Sequence, residues 1–542
     1  MKRRDFIKNM AATAGSISPL LKYSGSLALL SSTAMASAPF FSDYKAIVVL
    51  NLDGGSDSMT TFPPTGEETY AQYKEIREDI AVENKDLRKS QYYQTDDNGH
   101  YVVEYGDGNG HKQPYWPEEN ASGDVINQFK IGSYHTRKNA EPEGEFTGMG
   151  IHAFMPELAA LYDNKKLSIV SNVGPLVEPI FKDGVKQRGV KYPQFLYSHK
   201  HQTKAVDSMD WDVAGSTGWA GRLADRWMLD DAAGLNLSFT GGGGLFNGLS
   251  TSGLGLTRSG LKSFRVGNSY LVRLSDAIEN GTITEENNFR RVYAQHLKNQ
   301  ARFIDNFNSK WSSEAPNFNN YTAKNAYGKK LFDVGADTVK FREDYGLRNH
   351  HGLSGDLLDS FRDTAKMINL SKKTFGSKRQ IYYINDTGYD YHSAQSGVQT
   401  KHLRTMSMAV SDFYKAIEEM GMDKEVLVVM TSEFGRTLKS NINGTDHGWG
   451  GHSFMLCGDP AFNGGNVFGS VMDDLSAEGR YTTTRRSRII PSTSMEQMMA
   501  PALKWFGVDE ETMTHVLPNL HKFKPDSDSD DIETAFLQDV FA

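Results

Sequence analysis

The sequence predicts an α/β protein, a doubly wound and mostly parallel sheet flanked by helices, with large insertions. Three observations carry the prediction. Short apolar runs end abruptly in Gly and Asp at KAIVVLNLDGGSDS (45–58), IYYINDTGYDYHSAQ (381–395) and VLVVMTSEFGRTLKSNINGTDHGWGGH (426–452). Amphipathic helical stretches alternate with those runs, as parallel crossover connections require. No internal repeat and no Pro/Ser-rich linker divides the chain, so one sheet with insertions is favoured over several domains.

Residues 45–52 read as the first strand. Segment 152–175 reads as helix, then strand, then a glycine stop; Pro156 fits the first turn, and Leu158, Leu161 and Tyr162 mark its apolar face. Segment 353–371 is a second amphipathic helix leading into the strand at 381–385. The clearest helix is 402–421, with Met406, Ala409, Val410, Phe413, Ile417 and Met420 in one stripe, and it feeds a strand at 425–430. Two stretches break the alternation and are read as insertions: 84–148, polar and rich in Tyr, Asp, Gly and Asn, and 240–350, which opens on Gly241–Gly244. The acidic run at PDSDSDDIE reads as solvated or disordered.

The N-terminus (MKRRDFIKNMAATAG) has the form of a twin-arginine export signal. Arg3-Arg4 leads a basic region, a weak apolar stretch follows, and Ala34-Met35-Ala36 offers a cleavage site. Residues 1–36 are therefore expected to be a signal peptide and 37–542 the mature domain. The export machinery is then a partner, and the compartment is periplasmic or extracellular. No later apolar run approaches the ~18 residues that span a bilayer. The single cysteine, Cys457, permits no internal disulfide, so an exported chain of this length must rely on its core. The formal charge is -8 for the whole chain, and five basic residues against one acid in 1–36 leave the remainder at about -12. That sign argues against nucleic acid and anionic membranes as partners.

The chemistry lies at the three strand ends. In an open α/β sheet the site sits beyond the carboxyl ends of the strands. There the chain places Asp53, Asp386, Asp390, His392, Glu433, Asp446 and His447. Carboxylates and imidazoles are ligands for hard and borderline divalent cations. Asp390 and His392 stand two apart, on one side of an extended segment; Asp386 competes for the same role. Arg436, three residues after Glu433, either neutralises it or holds an anionic substrate. Asp446 reads equally as a ligand and as the group that orients His447. Cys457, in the strand-like run HSFMLCG, reads as buried and inert.

LDGGSDS, DTGYDYHSAQ, TSEFGRT and GTDHGWGGH, in this order behind a twin-arginine signal, resemble the domain of unknown function 1501 family. Over most of the mature chain the resemblance implies membership of the alkaline phosphatase/sulfatase superfamily. It implies an alkaline phosphatase-like sheet and one or two divalent metals, such as zinc, manganese or calcium. A hydroxyl nucleophile acting on phosphate or sulfate esters is implied as well. The superfamily's Asp after the first strand corresponds to Asp53, and its later Asp/His loop to Asp390 or Asp386 with His392. Its final lone His corresponds to His447. Its Asp-His pair reads Glu433-Phe434 here, and Phe434 cannot ligate, so one imidazole is missing; Asp446 or His452 is a candidate to compensate. For the nucleophile the best match is Ser198, beside His199 and His201, with Ser56 and Ser58 as alternatives. Arg222 is a candidate to assist an oxyanion. The expected activity is exported, metal-dependent hydrolysis of a small-molecule or polysaccharide ester. The alternative is a non-catalytic exported protein that keeps the fold and one metal.

Overall fold

The computed structural model describes residues 39–542 except 85–92, 96–100, 104–132, 137–147, 181–188, 212–216, 229–233, 262–276, 278–279, 281–301, 326–327, 334–354, 443 and 484–485. The expected signal peptide, 1–36, and most of the two expected insertions lie outside the described residues.

The central sheet consists, in chain order, of β1 (Lys45–Asp53), β2 (Leu167–Gly174), β3 (Asn236–Ser238), β4 (Leu254–Gly255), β5 (Arg379–Thr387), β6 (Val426–Thr431), β7 (Gly451–Cys457), β8 (Val467–Gly469) and β9 (Thr493–Ser494). Its spatial order is β8-β2-β7-β6-β1-β5-β3-β4, and β9 also pairs with β2. Every pairing is parallel except those of β7, which runs antiparallel to both β6 and β2. The three strands singled out in the sequence are therefore adjacent, with β1 between β6 and β5. Asn51 stands opposite Thr431 on one side and Asn385 on the other.

Alternation along these strands feeds two cores. Ala46, Val48, Leu50, Tyr382, Ile384, Val428 and Met430 face one layer of helices. That layer holds α1 (Pro156–Asp163), α4 (Gly355–Leu370) and α5 (Gln395–Glu419), through Leu158, Phe361, Met406 and Val410. Ile47, Val49, Ile381, Tyr383, Leu427 and Val429 face the other. There α2 (His199–Ser208), α3 (Trp219–Trp227) and α6 (Met495–Phe506) contribute Val206, Trp219, Leu223, Met498 and Leu503. Helices cover both faces, as continuous apolar strands demand.

Cys457 is buried at the end of β7, and burial pushes its thiol up to about 12, so it stays protonated. Helix α5 begins seven residues before the expected 402 because its first turns are polar yet buried. Gln395 donates to the Asp57 carboxylate, and Gln399 Nε2 donates to the Asp57 carbonyl at 2.9 Å. Among the described residues no helix is long and apolar enough to cross a membrane.

Candidate metal centre

Four segments that border the site bring groups to it. β1 ends at Asp53 and turns sharply through Gly54 and Gly55. Gly54 has φ 125°, and a Cβ there would lie 2.5 Å from the Asp390 amide nitrogen. Gly55 has φ 75°, and a Cβ there would meet the Phe434 ring at 2.3 Å. Only glycine lets the β1 turn lie this close to the segments after β5 and β6. The segment after β5 supplies Asp390 and His392. A hairpin formed by Arg436–Ser440 and Thr445–His447 supplies Asp446 and His447. The first residue of α2 supplies His199.

These side chains converge. His199 Nε2 lies 2.9 Å from His447 Nε2, and His392 Nε2 lies 2.9 Å from the same atom. Asp390 faces all three: its Oδ1 is 3.1 Å from His392 Nε2 and 3.2 Å from His447 Nε2, and its Oδ2 is 3.5 Å from His199 Nε2. One ligand atom each from His199, Asp390 and His447 lies within 4.8 Å of the others. The opposite ring nitrogens all face acceptors. His199 Nδ1 donates to Glu433 Oε1 at 2.7 Å, and His447 Nδ1 donates to the Tyr197 carbonyl at 2.8 Å. His392 Nδ1 is 3.5 Å from Asp446 Oδ1. A neutral imidazole that donates through Nδ1 has its lone pair on Nε2. Lone pairs at 2.9 Å from each other are tolerable only with a proton or a cation between them.

The electrostatics follow the same plan. Burial tends to raise the Asp390 pKa. The hydrogen bond and charge of Arg436, with His392 and His199, outweigh it and hold the carboxyl below its ordinary value. His199 is raised, chiefly by its hydrogen bond to Glu433. His447 is lowered, chiefly by burial. Asp53 is raised by burial and by the nearby Glu433 charge, against a hydrogen bond from Asn385. Asp390 and His392 keep 45% and 46% of their side-chain surface, so the cluster opens to solvent on one side.

Asp390, His392 and His447 are brought together, whereas Asp53 is hydrogen-bonded to Asn385 and meets Glu433 and His199 through charge alone. Glu433 and Asp446 sit one shell further out. Glu433 is buried and divided between His199 Nδ1 and the Gly54 amide at 2.9 Å. Asp446 stands behind His392 and pairs with Arg486.

The other expected residues have different partners. Asp386 aligns with Leu52, whose side chain enters the first core, so it points to the opposite face from Asp53; its carboxylate accepts from Tyr389 Oη at 2.7 Å. Arg436 is buried and spent on Asp390 Oδ1 at 2.8 Å, the Gly54 carbonyl at 3.3 Å and the Thr445 carbonyl at 2.5 Å, so it orients Asp390 rather than meeting an anion. Ser198 Oγ bonds His201 Nδ1 at 2.9 Å, not the cluster. Arg222 ties the Thr217, Ser208 and Val516 carbonyls together. Ser58 Oγ accepts from the His452 amide at 2.7 Å, and Ser56 is buried and donates its amide to Ser432 Oγ at 2.9 Å. His452 is fully buried, held at about 3 by burial, and bonded to the Asn172 amide and Met59 Sδ.

The residue that sequence reasoning undervalued is His199. Its ring packs against Phe434, 4.8 Å between centroids, and the Phe434 ring lies 5.0 Å from that of His447. In the chain His199 stands one position beyond Ser198, and only the fold shows that it joins Asp390 and His447.

The family model for a protein of unknown function (DUF1501) matches residues 44–534. The chain belongs to that family. No curated protein matches it. Among solved structures, the phosphonate monoester hydrolase SpPMH from Silicibacter pomeroyi is 11% identical with TM-score 0.26, covering 66% of this chain and 69% of its own. Ps i-CgsB is 10% identical with TM-score 0.25, covering 66% and 68%. The same protein in complex with k-i-k-neocarrahexaose is 10% identical with TM-score 0.24, covering 58% and 62%.

Proposed function

We propose that this family member is an exported, metal-dependent hydrolase of phosphate or sulfate esters, with His199, Asp390, His392 and His447 as the metal ligands. The observation that carries the reading is the convergence of three Nε2 atoms on one carboxylate while Glu433, Tyr197 and Asp446 hold the Nδ1 atoms. An imidazole-rich set with one carboxylate suits zinc or manganese; calcium prefers oxygen alone. A divalent ion bound there supplies a Lewis acid for an anionic ester.

The rest is the work of the chain. Arg436 keeps Asp390 ionised and aimed. Glu433 keeps His199 in the tautomer that ligates and raises its basicity. Asp53 adds a carboxylate within electrostatic reach of Glu433 and His199. With Ser58 and Ser198 turned to His452 and His201, the reading takes water as the attacking group. An O–P or O–S bond forms as the ester bond breaks, and the proton of the water ends on the released alcohol.

Metal analysis of the purified, folded protein tests the centre, followed by chromogenic phosphate and sulfate esters with and without chelator. The expected result is about one equivalent of zinc or manganese and chelator-sensitive turnover. Metal without turnover on any ester would favour a non-catalytic metal-binding role. No metal under any loading condition would overturn both readings.

A further inference from the structure

We propose that Phe195 is a ring-binding platform beside the metal centre, selecting esters whose alcohol carries a ring, sugar or aryl, rather than an open chain. The inference rests on the hydrolase reading above and names its substrate class.

Phe195 is a large apolar side chain that remains 63% exposed. It is also costly to keep there. Phe195 has φ 52° and Tyr197 φ 75°, left-handed conformations that bulky residues rarely adopt. Such strain persists only where the surroundings over-determine it, and here they do. The Phe195 ring lies 4.2 Å from the His201 ring at 30°, and Ser198 Oγ pins His201 through Nδ1 at 2.9 Å. The Tyr197 carbonyl is fixed by His447 Nδ1 at 2.8 Å. The Arg488 guanidinium lies 4.1 Å over the Tyr197 ring, and its Nε donates to the His447 carbonyl at 2.8 Å.

One seven-residue stretch, 195–201, therefore holds an exposed aromatic ring, the carbonyl that orients His447 and the ligand His199. Phe195 lies two residues from the Tyr197 carbonyl that holds His447 and four from His199, so its exposed ring borders the cluster where the leaving group of a metal-bound ester would extend. An aromatic face contributes through stacking and through apolar contact with a ring's C–H face, and contributes little to an open chain. The locked rotamers of Ser198 and His201 keep the ordering cost of that contact low.

The test uses metal-loaded full-length protein and three phosphonates that mimic the ester's anionic end: ethyl-, cyclohexyl- and phenylphosphonate, titrated calorimetrically. In the wild type the ring-bearing ligands should bind roughly five- to tenfold more tightly than ethylphosphonate. Phe195→Ala should collapse that ratio to near one, Phe195→Tyr should keep it, and metal content should match wild type in both. A preference for cyclohexyl over phenyl identifies a sugar-like ring; the reverse identifies an aryl group. Equal affinity for all three ligands in the wild type, or an equal loss for all three in Phe195→Ala, would overturn the platform and leave the metal hydrolase standing. Failure of every phosphonate to bind would overturn the hydrolase reading and the platform with it.

Discussion

Glu433→Gln separates an orienting carboxylate from a ligating one. The side chain is buried, and its Oε1 accepts from His199 Nδ1 at 2.7 Å and from the Gly54 amide at 2.9 Å. Glutamine preserves shape, still offers an oxygen to His199 and Gly54, and can give its amide to Ser432 Oγ, which lies 3.3 Å from Oε2. What is lost is the charge. A hydrogen bond to a charged group is worth about 1.5–3 kcal/mol and a neutral one about 1, so the substitution removes roughly 1–2 kcal/mol of support for His199. If that support is felt fully at the metal, affinity falls about 5- to 30-fold, within the range usual for groups behind a ligand. Competition against a chelating dye, at fixed pH, measures it. A second readout is directional. The bond to Glu433 is the chief reason the His199 pKa is raised. In the variant the proton should leave at lower pH, and the acid edge of metal binding should move down while affinity at pH 8 falls. A loss as large as that of His447→Ala, measured in parallel, would refute the orienting role and make Glu433 a direct ligand. Wild-type affinity with an unmoved acid edge would refute the coupling altogether.

Three further outcomes follow from the same geometry. His392→Ala and His199→Ala should each strip bound metal, whereas Asp386→Asn should not, since Asp386 faces Tyr389 on the other side of the sheet; metal content after dialysis decides. Ser198→Ala should leave metal content unchanged and ester turnover within a few-fold of wild type, because its hydroxyl serves His201; abolished turnover would restore it as the nucleophile. Finally, burial raises Asp207 to about 7, Asp412 to about 7 and Glu496 to about 8. The folded state then binds more protons than the unfolded chain between about pH 4 and 8, so these groups make stability fall as pH rises through that window. Glu496→Gln should raise the Tm at pH 8.5 and leave it unchanged at pH 4; equal shifts at both would show a packing effect instead.

The sheet was legible because its signal is local. An apolar run that ends in Asp-Gly-Gly is a strand edge whatever surrounds it, and β1, β5 and β6 lie side by side as their endings imply. What periodicity could not supply was the face. Asp386 and Asp390 are carboxylates four residues apart, yet strand pairing with Leu52 turns the first toward a core, while the second lies past the strand end, where the close approach allowed by Gly54 sets it against Arg436. Polarity misled in the same way at Gln395 and Gln399, which look like loop and are buried against Asp57. The missing imidazole is the more general lesson. The group that holds an imidazole's far nitrogen reveals which segment brings that imidazole to the cluster. Both Glu433 oxygens have partners: the Gly54 amide and His199 Nδ1 share Oε1, and Ser432 Oγ lies 3.3 Å from Oε2. A buried carboxylate so placed implies an imidazole in front of it. With phenylalanine next to Glu433 in the chain, that imidazole has to come from elsewhere, and His199, at the start of α2, is the one whose Nδ1 is in reach.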